Sequence, residues 1–323
     1  MKKILFLSIF CAAVMLLLPL FIIENDLSAL PAAALKNDFE RDINPNNHST
    51  SFRVQNCEDN TISKISAEDY IFGVVAAEMP ALYEEEALKA QAVAAYTFAL
   101  SRKAENSEKD YDITNDHTID QSFITEAKAR EKWGSNADTY IEKIKNAVND
   151  VKDYVILYDG KIITSVYHAI SGGKTEDSNN VWGVSLPYLK PVSSEGDKLA
   201  ENYITVVELS SQELKEKLRG IAKIDDTKQN IFKNITRTNS GTVKKITAGS
   251  TELTGANIRA ALELRSSNFK VDFKEGNYKF TVYGYGHGVG LSQNGANYMA
   301  KQGFNFKEIL AHYYSGCKIE KRQ

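Results

Sequence analysis

Residues 70–80 read Tyr70-Ile71-Phe72-Gly73-Val74-Val75-Ala76-Ala77-Glu78-Met79-Pro80, an apolar run that ends in one acid and a proline. Ser66 precedes this run as a suitable N-cap, with two acids directly after it, so the pattern predicts a helix over residues 67–77. Pro80 disfavours helical geometry at the residue before it, so the helix should stop at about Glu78.

The predicted position of Glu78 suggests a chemical role. Its carboxyl group would lie at the negative end of the helix dipole, among Val74, Val75 and Met79. Partial burial and the dipole both favour the protonated form, which is the form that a general acid requires. The alternative is an ordinary surface acid at a helix end, paired with a lysine.

A second helix is predicted from Glu84 to Leu100. Three consecutive acids, Glu84 to Glu86, suit its positive N-terminus as a solvated first turn. The helix is rich in alanine at Ala87, Ala90, Ala92, Ala94, Ala95 and Ala99. Such small side chains allow close approach, so we expect this helix to pack against the helix of Glu78 as a central small-residue pair.

The rest of the chain mixes helices and strands. Asp159-Gly160 joins two β-rich runs, 154–158 and 162–167, and predicts a β-hairpin. Further helices are predicted at 123–150, 210–224, 254–263, 294–301 and 306–314, and strands at 231–236, 243–248, 269–273 and 278–283. Because the two kinds of element do not alternate regularly, the fold class is α+β, a single mixed domain.

The N-terminus has the pattern of a membrane anchor. Lys2 and Lys3 precede an uncharged run at 4–23, long enough as a helix to span a bilayer, with the following chain outside the cytoplasm. The alternative is a cleaved signal peptide, with a weak site at 32–34. We therefore expect a cytoplasmic stub at 1–3, a transmembrane anchor at 4–23, a polar spacer at 24–52 and a catalytic domain at 53–323.

Charge and cysteine content exclude some classes of protein. The net charge of -3 and the pI near 6.0 do not indicate a nucleic-acid-binding surface. Outside the apolar run, the cysteines are Cys57 and Cys317, which could form one bridge or remain free thiols. No Cys/His spacing is typical of a structural zinc site.

Two loops carry polar groups suited to a ligand. Ser171-Gly172-Gly173-Lys174-Thr175 is rich in hydrogen-bond donors and could hold a hydroxyl-rich or anionic ligand. The glycine-rich loop 284–290 presents His287, and Ser292 and Gln293 then open a helix whose amides face the same place. The alternative for His287 is a structural histidine bonded to the backbone.

Other kinds of site fit the sequence less well. The glycine-rich loop lacks the βαβ context of a nucleotide-binding loop. His117, His168, His287 and His312 could converge on a metal, but no pair has the spacing of a metal hydrolase motif. Ser171 is not in the elbow motif of serine hydrolases.

Several motifs, in order, resemble the family of stage II sporulation protein D and span nearly the whole part after the N-terminal run. They are Ala76-Ala77-Glu78-Met79-Pro80, the run from Glu86 to Ala95, Ser171 to Glu176, Val181-Trp182, Pro187-Tyr188-Leu189, and Gly284 to Ala296. The resemblance implies a peptidoglycan lytic transglycosylase whose catalytic glutamate corresponds to Glu78. It implies action during engulfment in sporulation, between the mother cell and the forespore, as a single-pass protein of the cell membrane.

The resemblance also implies partners. The substrate would be glycan strands already stripped of stem peptides by the amidase stage II sporulation protein P, with stage II sporulation protein M as a membrane scaffold. Two departures are visible. The family's usual arginine after Ala-Val-Ala-Ala is Tyr96 here, and the loop that holds zinc in some relatives has His117 and Asp120 but no cysteine. We therefore expect no bound zinc and no other cofactor.

A lytic transglycosylase can work with one carboxylate, whereas hydrolytic glycosidases typically use two. Glu78 would protonate the bridging oxygen between N-acetylmuramic acid and N-acetylglucosamine, and would then take the proton of the C6 hydroxyl as that oxygen closes onto C1. The residues expected to hold the sugars are Ser171, Gly172, Lys174, Tyr188, His287, Ser292 and Gln293. The alternatives are a non-catalytic wall-binding activator of an amidase and a hydrolytic muramidase.

Overall fold

The computed structural model describes residues 51–116, 118–225 and 229–322. Its first helix, α1 (Ala67–Glu78), follows the predicted bounds closely. The Ser66 side chain accepts a hydrogen bond from the backbone N–H of Asp69, which confirms the predicted N-cap. The backbone becomes extended at Met79, as the following proline requires, so the helix places Glu78 at its C-terminus.

Helix α1 packs against α2 (Glu85–Glu105), and this pair lies in the larger of two hydrophobic cores. The alanines of α2 named above are all buried, so the close packing of a small-residue pair is confirmed. The remaining helices, in chain order, are α3 (Glu126–Trp133), α4 (Ala137–Asp150), α5 (Ser178–Trp182), α6 (Ser211–Lys217), α7 (Gly255–Leu262), α8 (Gln293–Lys301) and α9 (Phe306–Tyr313).

The strands form several small sheets rather than one large one. In chain order they are β1 (Ser51–Gln55), β2 (Ile62–Ser66), β3 (Ile113–Thr114), β4 (Tyr154–Tyr158), β5 (Lys161–Ile162), β6 (Tyr167–His168), β7 (Ile204–Ser210), β8 (Phe232–Arg237), β9 (Val243–Ala248), β10 (Thr251–Leu253), β11 (Phe269–Lys274), β12 (Asn277–Tyr283), β13 (Leu291–Ser292) and β14 (Lys318–Lys321). Their sheet orders are β2-β1-β3, β10-β9-β8, β11-β12-β7, β13-β6 and β14-β4-β5. The α+β class is confirmed.

A second, smaller hydrophobic core is built from residues between 204 and 283. In β12, every second side chain is buried, at Tyr278, Phe280 and Val282, which is the alternation typical of a half-buried strand. Helix α7 covers this core and presents its last turn toward the larger one. The chain thus leaves the first core after residue 200 and returns to it at 284.

The return is made by the glycine-rich loop, which lies directly on the segment after the hairpin. Strands β6 and β13 pair in parallel, with Leu291 opposite Tyr167 and Ser292 opposite His168. Gly290 has φ +71, and a Cβ atom there would lie 2.1 Å from the carbonyl oxygen of Val166. Only glycine permits this approach, and it brings the loops of His168 and His287 together.

Four predicted elements differ from the structure. The helix expected over 84–100 continues to Glu105. The helix expected over 123–150 is two helices, because Gly134 adopts φ +52 and ends the first. The helix expected over 210–224 stops at Lys217, before Gly220 at φ +90. In the hairpin, the Asp159-Gly160 turn is confirmed, but β5 ends at Ile162 because the chain then turns to pair with β13.

The expected localisation needs correction. Among the described residues, no helix combines the length and the apolar character needed to cross a bilayer, so the structure gives no support to a single-pass membrane protein. The predicted span at 4–23 and most of the predicted spacer lie outside the described residues. The first strand begins at Ser51, just before the predicted domain boundary.

The two cysteines of the described chain are free thiols. Cys57 is exposed, and Cys317 is partly buried. Burial raises the pKa of the Cys317 thiol to about 12. Of the two alternatives left by the sequence, the structure therefore has the free thiols.

Candidate active site

A groove of about 660 Å³ runs between the two cores, and Glu78 lies in its wall. The first core contributes the end of α1, the loop after β3 and strand β6. The second core contributes α7, and the glycine-rich loop closes the groove between them. The lining residues used below are Glu78, Asp120, Gln121, Ser122, Tyr167, His168, Arg259, Tyr285, His287 and Gln293.

Glu78 is half-buried and held by the loop after β3. The backbone N–H of Ser122 donates a 2.9 Å hydrogen bond to Oε1 of Glu78. This bond stabilises the ionised carboxylate, whereas the C-terminal end of the α1 dipole disfavours it. The sequence indicated only the second influence, because Ser122 is distant along the chain.

Gly73 allows this loop to lie on α1. A Cβ atom at position 73 would be 2.3 Å from the Phe123 ring and 2.4 Å from the carbonyl oxygen of Ile124. The N–H of Ile124 donates to the carbonyl of Gly73 at 3.2 Å. The missing side chain of Gly73 therefore makes room for the segment that carries Ser122 to Glu78.

A chain of hydrogen bonds forms the wall beside Glu78. The Tyr167 hydroxyl donates to Oε1 of Gln121 at 2.8 Å, and Nε2 of Gln121 donates to the Tyr70 hydroxyl at 3.3 Å. Burial, followed by the charge of Glu78, raises the pKa of Tyr167 well above its usual range. Tyr167 therefore stays a neutral phenol at the side of Glu78.

His168 and His287 lie side by side in the groove, with ring centroids 5.7 Å apart. Nδ1 of His168 is 3.0 Å from the carbonyl oxygen of Val289, and Nδ1 of His287 accepts from the backbone N–H of Val289 at 3.1 Å. Burial lowers the pKa of His168. Burial and the neighbouring charges of His168 and Arg259 hold the pKa of His287 well below its usual range. Both imidazoles are therefore neutral near pH 7.

The other acidic side chains of the groove are already engaged. Asp120 is fully buried, pairs with Arg102 and accepts from both the N–H and the hydroxyl of Thr114. Glu263 is at the rim and pairs with Lys217 at 3.1 Å. The Asp120 side chain is thus closed off from solvent, whereas Glu263 is a largely exposed acid at the rim of the groove.

The second core contributes a cation, Arg259, from the last turn of α7. Its Nε atom donates to the carbonyl oxygen of Leu264, two residues after the end of the helix, at 3.3 Å. The side chain is half-buried, and burial lowers the pKa of its guanidinium group. Arg259 lines both the groove and a smaller neighbouring pocket of about 120 Å³.

The structure brings some of the predicted sugar-binding residues to Glu78 and leaves others elsewhere. His287 and Gln293 line the same groove as Glu78. Ser171, Gly172 and Lys174 line the neighbouring pocket instead.

Three of the predicted residues, Ser171, Ser292 and Tyr188, make contacts within the protein. Ser171 and Ser292 are buried and donate their hydroxyls to the two oxygens of Asp197, at 2.5 and 2.7 Å. Tyr188 is buried in the first core, with its ring 5.7 Å from that of Tyr158, and does not line the groove.

The described residues contain no group of three or more His, Cys, Asp or Glu side chains that could hold a metal ion. His117, which the sequence analysis considered for zinc, lies outside them. His312 is far from the other histidines and lies 2.7 Å through Nε2 from the carbonyl oxygen of Ser193.

Sequence reasoning missed several groove residues. His168 carried a signal, because it directly follows a predicted strand and precedes the Ser-Gly-Gly loop. Gln121, Ser122 and Arg259 carried none, since they lie in segments without a motif. Their position in the groove follows from packing between distant segments.

Comparison with known proteins agrees with the motifs. A family model described as stage II sporulation protein matches residues 55–158, which include Glu78. The chain is 35% identical to stage II sporulation protein D of Bacillus amyloliquefaciens and 33% identical to that of Bacillus subtilis (strain 168), in both cases over 83% of this chain and 78% of the relative. It is also 27% identical to the amidase enhancer of Bacillus subtilis (strain 168), over 76% of this chain and 40% of that protein. On this similarity in sequence and coverage, the chain belongs to the stage II sporulation protein D family.

Proposed function

We propose that this protein is a peptidoglycan lytic transglycosylase that acts on the cell wall during sporulation, with Glu78 as its one catalytic carboxylate. The observation that carries the proposal is the distribution of acids in the groove. Glu78 is half-buried in the groove wall, whereas Asp120 and Glu263 are committed to Arg102 and Lys217. A hydrolase of the usual kind needs a second carboxylate for water or for a covalent intermediate.

In the first step, protonated Glu78 gives its proton to the oxygen between C1 of N-acetylmuramic acid and C4 of N-acetylglucosamine. The C1–O bond breaks, and the N-acetylglucosamine end leaves with a hydroxyl group. Positive charge develops at C1. The lowered pKa values of His168 and His287 keep both imidazoles neutral, so they add no positive charge to the groove.

In the second step, the C6 hydroxyl of the same muramic sugar closes onto C1. Its proton goes to the carboxylate of Glu78, which is thereby restored to the protonated form. A 1,6-anhydro ring results, and no water is consumed. The attack is intramolecular, so it gains from the high effective concentration of the hydroxyl.

Polar groups around Glu78 suit a sugar substrate. Tyr167, His287 and Gln293 present hydrogen-bonding atoms along the groove, and the exposed ring of Tyr285 lies at its rim. Hydroxyl and acetamido groups of a glycan need such partners, and an exposed aromatic ring can pack on a sugar face.

The second candidate function is a non-catalytic activator of an amidase. It is favoured by the similarity to the amidase enhancer, which has a lower identity and covers a smaller share of both chains than the matches to the sporulation proteins. A hydrolytic muramidase is the third, and the commitment of Asp120 and Glu263 argues against it.

The mass of the products separates these functions. Purified glycan strands without stem peptides are incubated with the protein, and the released sugars are measured by mass spectrometry. A lytic transglycosylase gives anhydro ends, a muramidase gives reducing ends one water heavier, and an activator gives no glycan products.

Two variants complete the test. Glu78→Gln should abolish cleavage, and Glu252→Gln, at an exposed acid paired with Lys245 in the second core, should leave it unchanged. Undiminished cleavage by Glu78→Gln would remove this residue from the mechanism. The expected partners, stage II sporulation proteins P and M, remain predictions that co-purification can test.

A further inference from the structure

Arg259 is a half-buried cation in the groove for which the described residues provide no carboxylate partner. Its one hydrogen bond is made by Nε to the carbonyl oxygen of Leu264. Its terminal nitrogens make no hydrogen bond or ion pair with any residue in the described ranges. The terminal nitrogens of Arg259 are therefore not used by the described protein and are available to an anionic group of a ligand in the groove.

Two acids that line the groove or the neighbouring pocket with Arg259 are engaged elsewhere. Glu263 pairs with Lys217. Glu176 is buried and accepts from the backbone N–H of Asp177 and from the side chains of Asn180 and Thr238. The groups that act on the pKa of Arg259 are its own burial and the Tyr285 hydroxyl, with no carboxylate among them.

Arg259 lies between the groove and the smaller neighbouring pocket, and other cations line that pocket. Lys174 and Lys244 are exposed there, and neither forms an ion pair with a described residue. The neighbouring pocket therefore carries three cations, Arg259, Lys174 and Lys244, and Arg259 also lines the groove that contains Glu78. Such a surface suits an anionic group on the ligand.

We propose that Arg259 binds the lactyl carboxylate of N-acetylmuramic acid and so distinguishes glycan strands without stem peptides from strands that carry them. This inference rests on the proposed function. The lactyl group is attached at C3 of N-acetylmuramic acid, the same sugar that reacts at C1. The groove must therefore hold the reacting C1 atom and the lactyl group together. Its carboxyl group is a free anion on a bare strand, but it is a neutral amide wherever a peptide is attached. A guanidinium group matches a carboxylate in geometry and charge, and it gains little from an amide.

The test measures binding in the Glu78→Gln background, in which no substrate is consumed. Three tetrasaccharides serve as probes: alternating N-acetylglucosamine and N-acetylmuramic acid with free lactyl carboxylates, the same compound with those groups converted to methylamides, and chitotetraose, which lacks them. We expect the free acid to bind roughly 10- to 100-fold more tightly than the methylamide, the range of a charge-assisted hydrogen bond.

Adding Arg259→Gln should reduce the affinity for the acid to that for the methylamide and leave the affinities for the two neutral probes unchanged. Retained binding of the neutral probes also shows that the variant is folded. Arg219→Gln is the matched control, since it removes one positive charge from the second core at an exposed arginine paired with Glu216. It should change none of the three affinities.

Each other outcome overturns the inference. Equal affinity for acid and methylamide, with cleavage of bare strands intact, excludes recognition of the carboxylate while the proposed function stands. If a peptide-bearing tetrasaccharide binds more tightly than the free acid, and Arg259→Gln removes this difference, Arg259 binds an anionic group of the peptide instead. If none of the probes binds and bare strands are not cleaved, the proposed function fails and this inference fails with it.

Discussion

Oε1 of Glu78 accepts a 2.9 Å hydrogen bond from the backbone N–H of Ser122, which fastens the C-terminus of α1 to the loop after β3. The bond helps to fix the position of the carboxyl group in the groove through a backbone donor. It also makes the geometry of Glu78 depend on everything that seats this loop, and Gly73 is the residue on which the loop lies.

Gly73→Ala should displace the loop and impair the site. The new methyl group would overlap the Phe123 ring and the carbonyl of Ile124, so we expect a loss of about 1–3 kcal/mol in the free energy of unfolding. Glycan cleavage should fall further than this loss explains, because Ser122 moves away from Glu78. Urea denaturation and the cleavage assay measure the two effects.

The double variant Gly73→Ala, Phe123→Ala is the control for this explanation. Removing the ring relieves one of the two overlaps. The double variant should therefore lose less free energy of unfolding than the sum of the losses in the two single variants. Strict additivity of the two substitutions would show that the loop does not rest on Gly73.

Asp120→Asn should separate stability from catalysis. The Asp120 side chain is fully buried against Arg102, which also pairs with Glu105. Loss of the Asp120 charge removes one of these two ion pairs and weakens the bonds from Thr114, at a cost of roughly 1.5–3 kcal/mol in the free energy of unfolding. Because Asp120 has no chemical step in the proposed mechanism, anhydro products should still form at a temperature where the variant is folded.

The comparison variant is Asp138→Asn, which removes an exposed partner of Arg130 and should change stability by less than about 1 kcal/mol. If folded Asp120→Asn protein produced no anhydro ends, Asp120 would have to be given a catalytic role.

Asp197→Asn should destabilise the junction between the Ser-Gly-Gly loop and β13. One oxygen of Asp197 accepts from the N–H and the hydroxyl of Ser171, and the other accepts from the hydroxyl of Ser292. An amide NH₂ would face these donors, so we expect a loss of roughly 1.5–3 kcal/mol, measured by urea denaturation. Glu195→Gln, on the same turn but exposed, should stay within about 0.5 kcal/mol of the parent protein.

Stability should decline as the pH falls below the ordinary histidine pKa of 6.5. His168 and His287 both have lowered pKa values in the folded protein, mainly because of burial. Between the folded and unfolded values the unfolded chain binds more protons, so acid favours unfolding. The stabilisation is complete above about pH 6.5 and is lost progressively as the pH falls toward the lowered values.

Urea denaturation at a series of pH values from 7.5 to about 5 measures this slope. His287→Gln should flatten it, because glutamine keeps hydrogen-bonding capacity but does not titrate in this range. A slope in the variant equal to that of the parent protein would show that His287 is protonated to the same extent in both states.

The local structure around Glu78 could be read from the sequence because its causes are local. The Ser66 cap, the acids of the first turn and Pro80 fix the ends of α1 through contacts within a few residues. The Asp159-Gly160 turn and the alternation in β12 follow from equally short-range rules. The carboxyl group at the end of a helix could thus be placed before any tertiary contact was known.

The composition of the groove could not be read in this way. Tyr188 belongs to a motif but is buried in the first core, and Ser171 and Ser292 support Asp197. Arg259 belongs to no motif, yet it lies in the groove because the second core folds back beside the first.

The sequence by itself determined where α1 begins and ends, and which acid would stand at its C-terminus. Only the tertiary structure decided which side chains meet that acid. The physical reason is that capping and turn formation depend on neighbours along the chain. Packing of distant segments places Glu78, Ser122, His168 and Arg259 around one groove, and no local pattern encodes this arrangement.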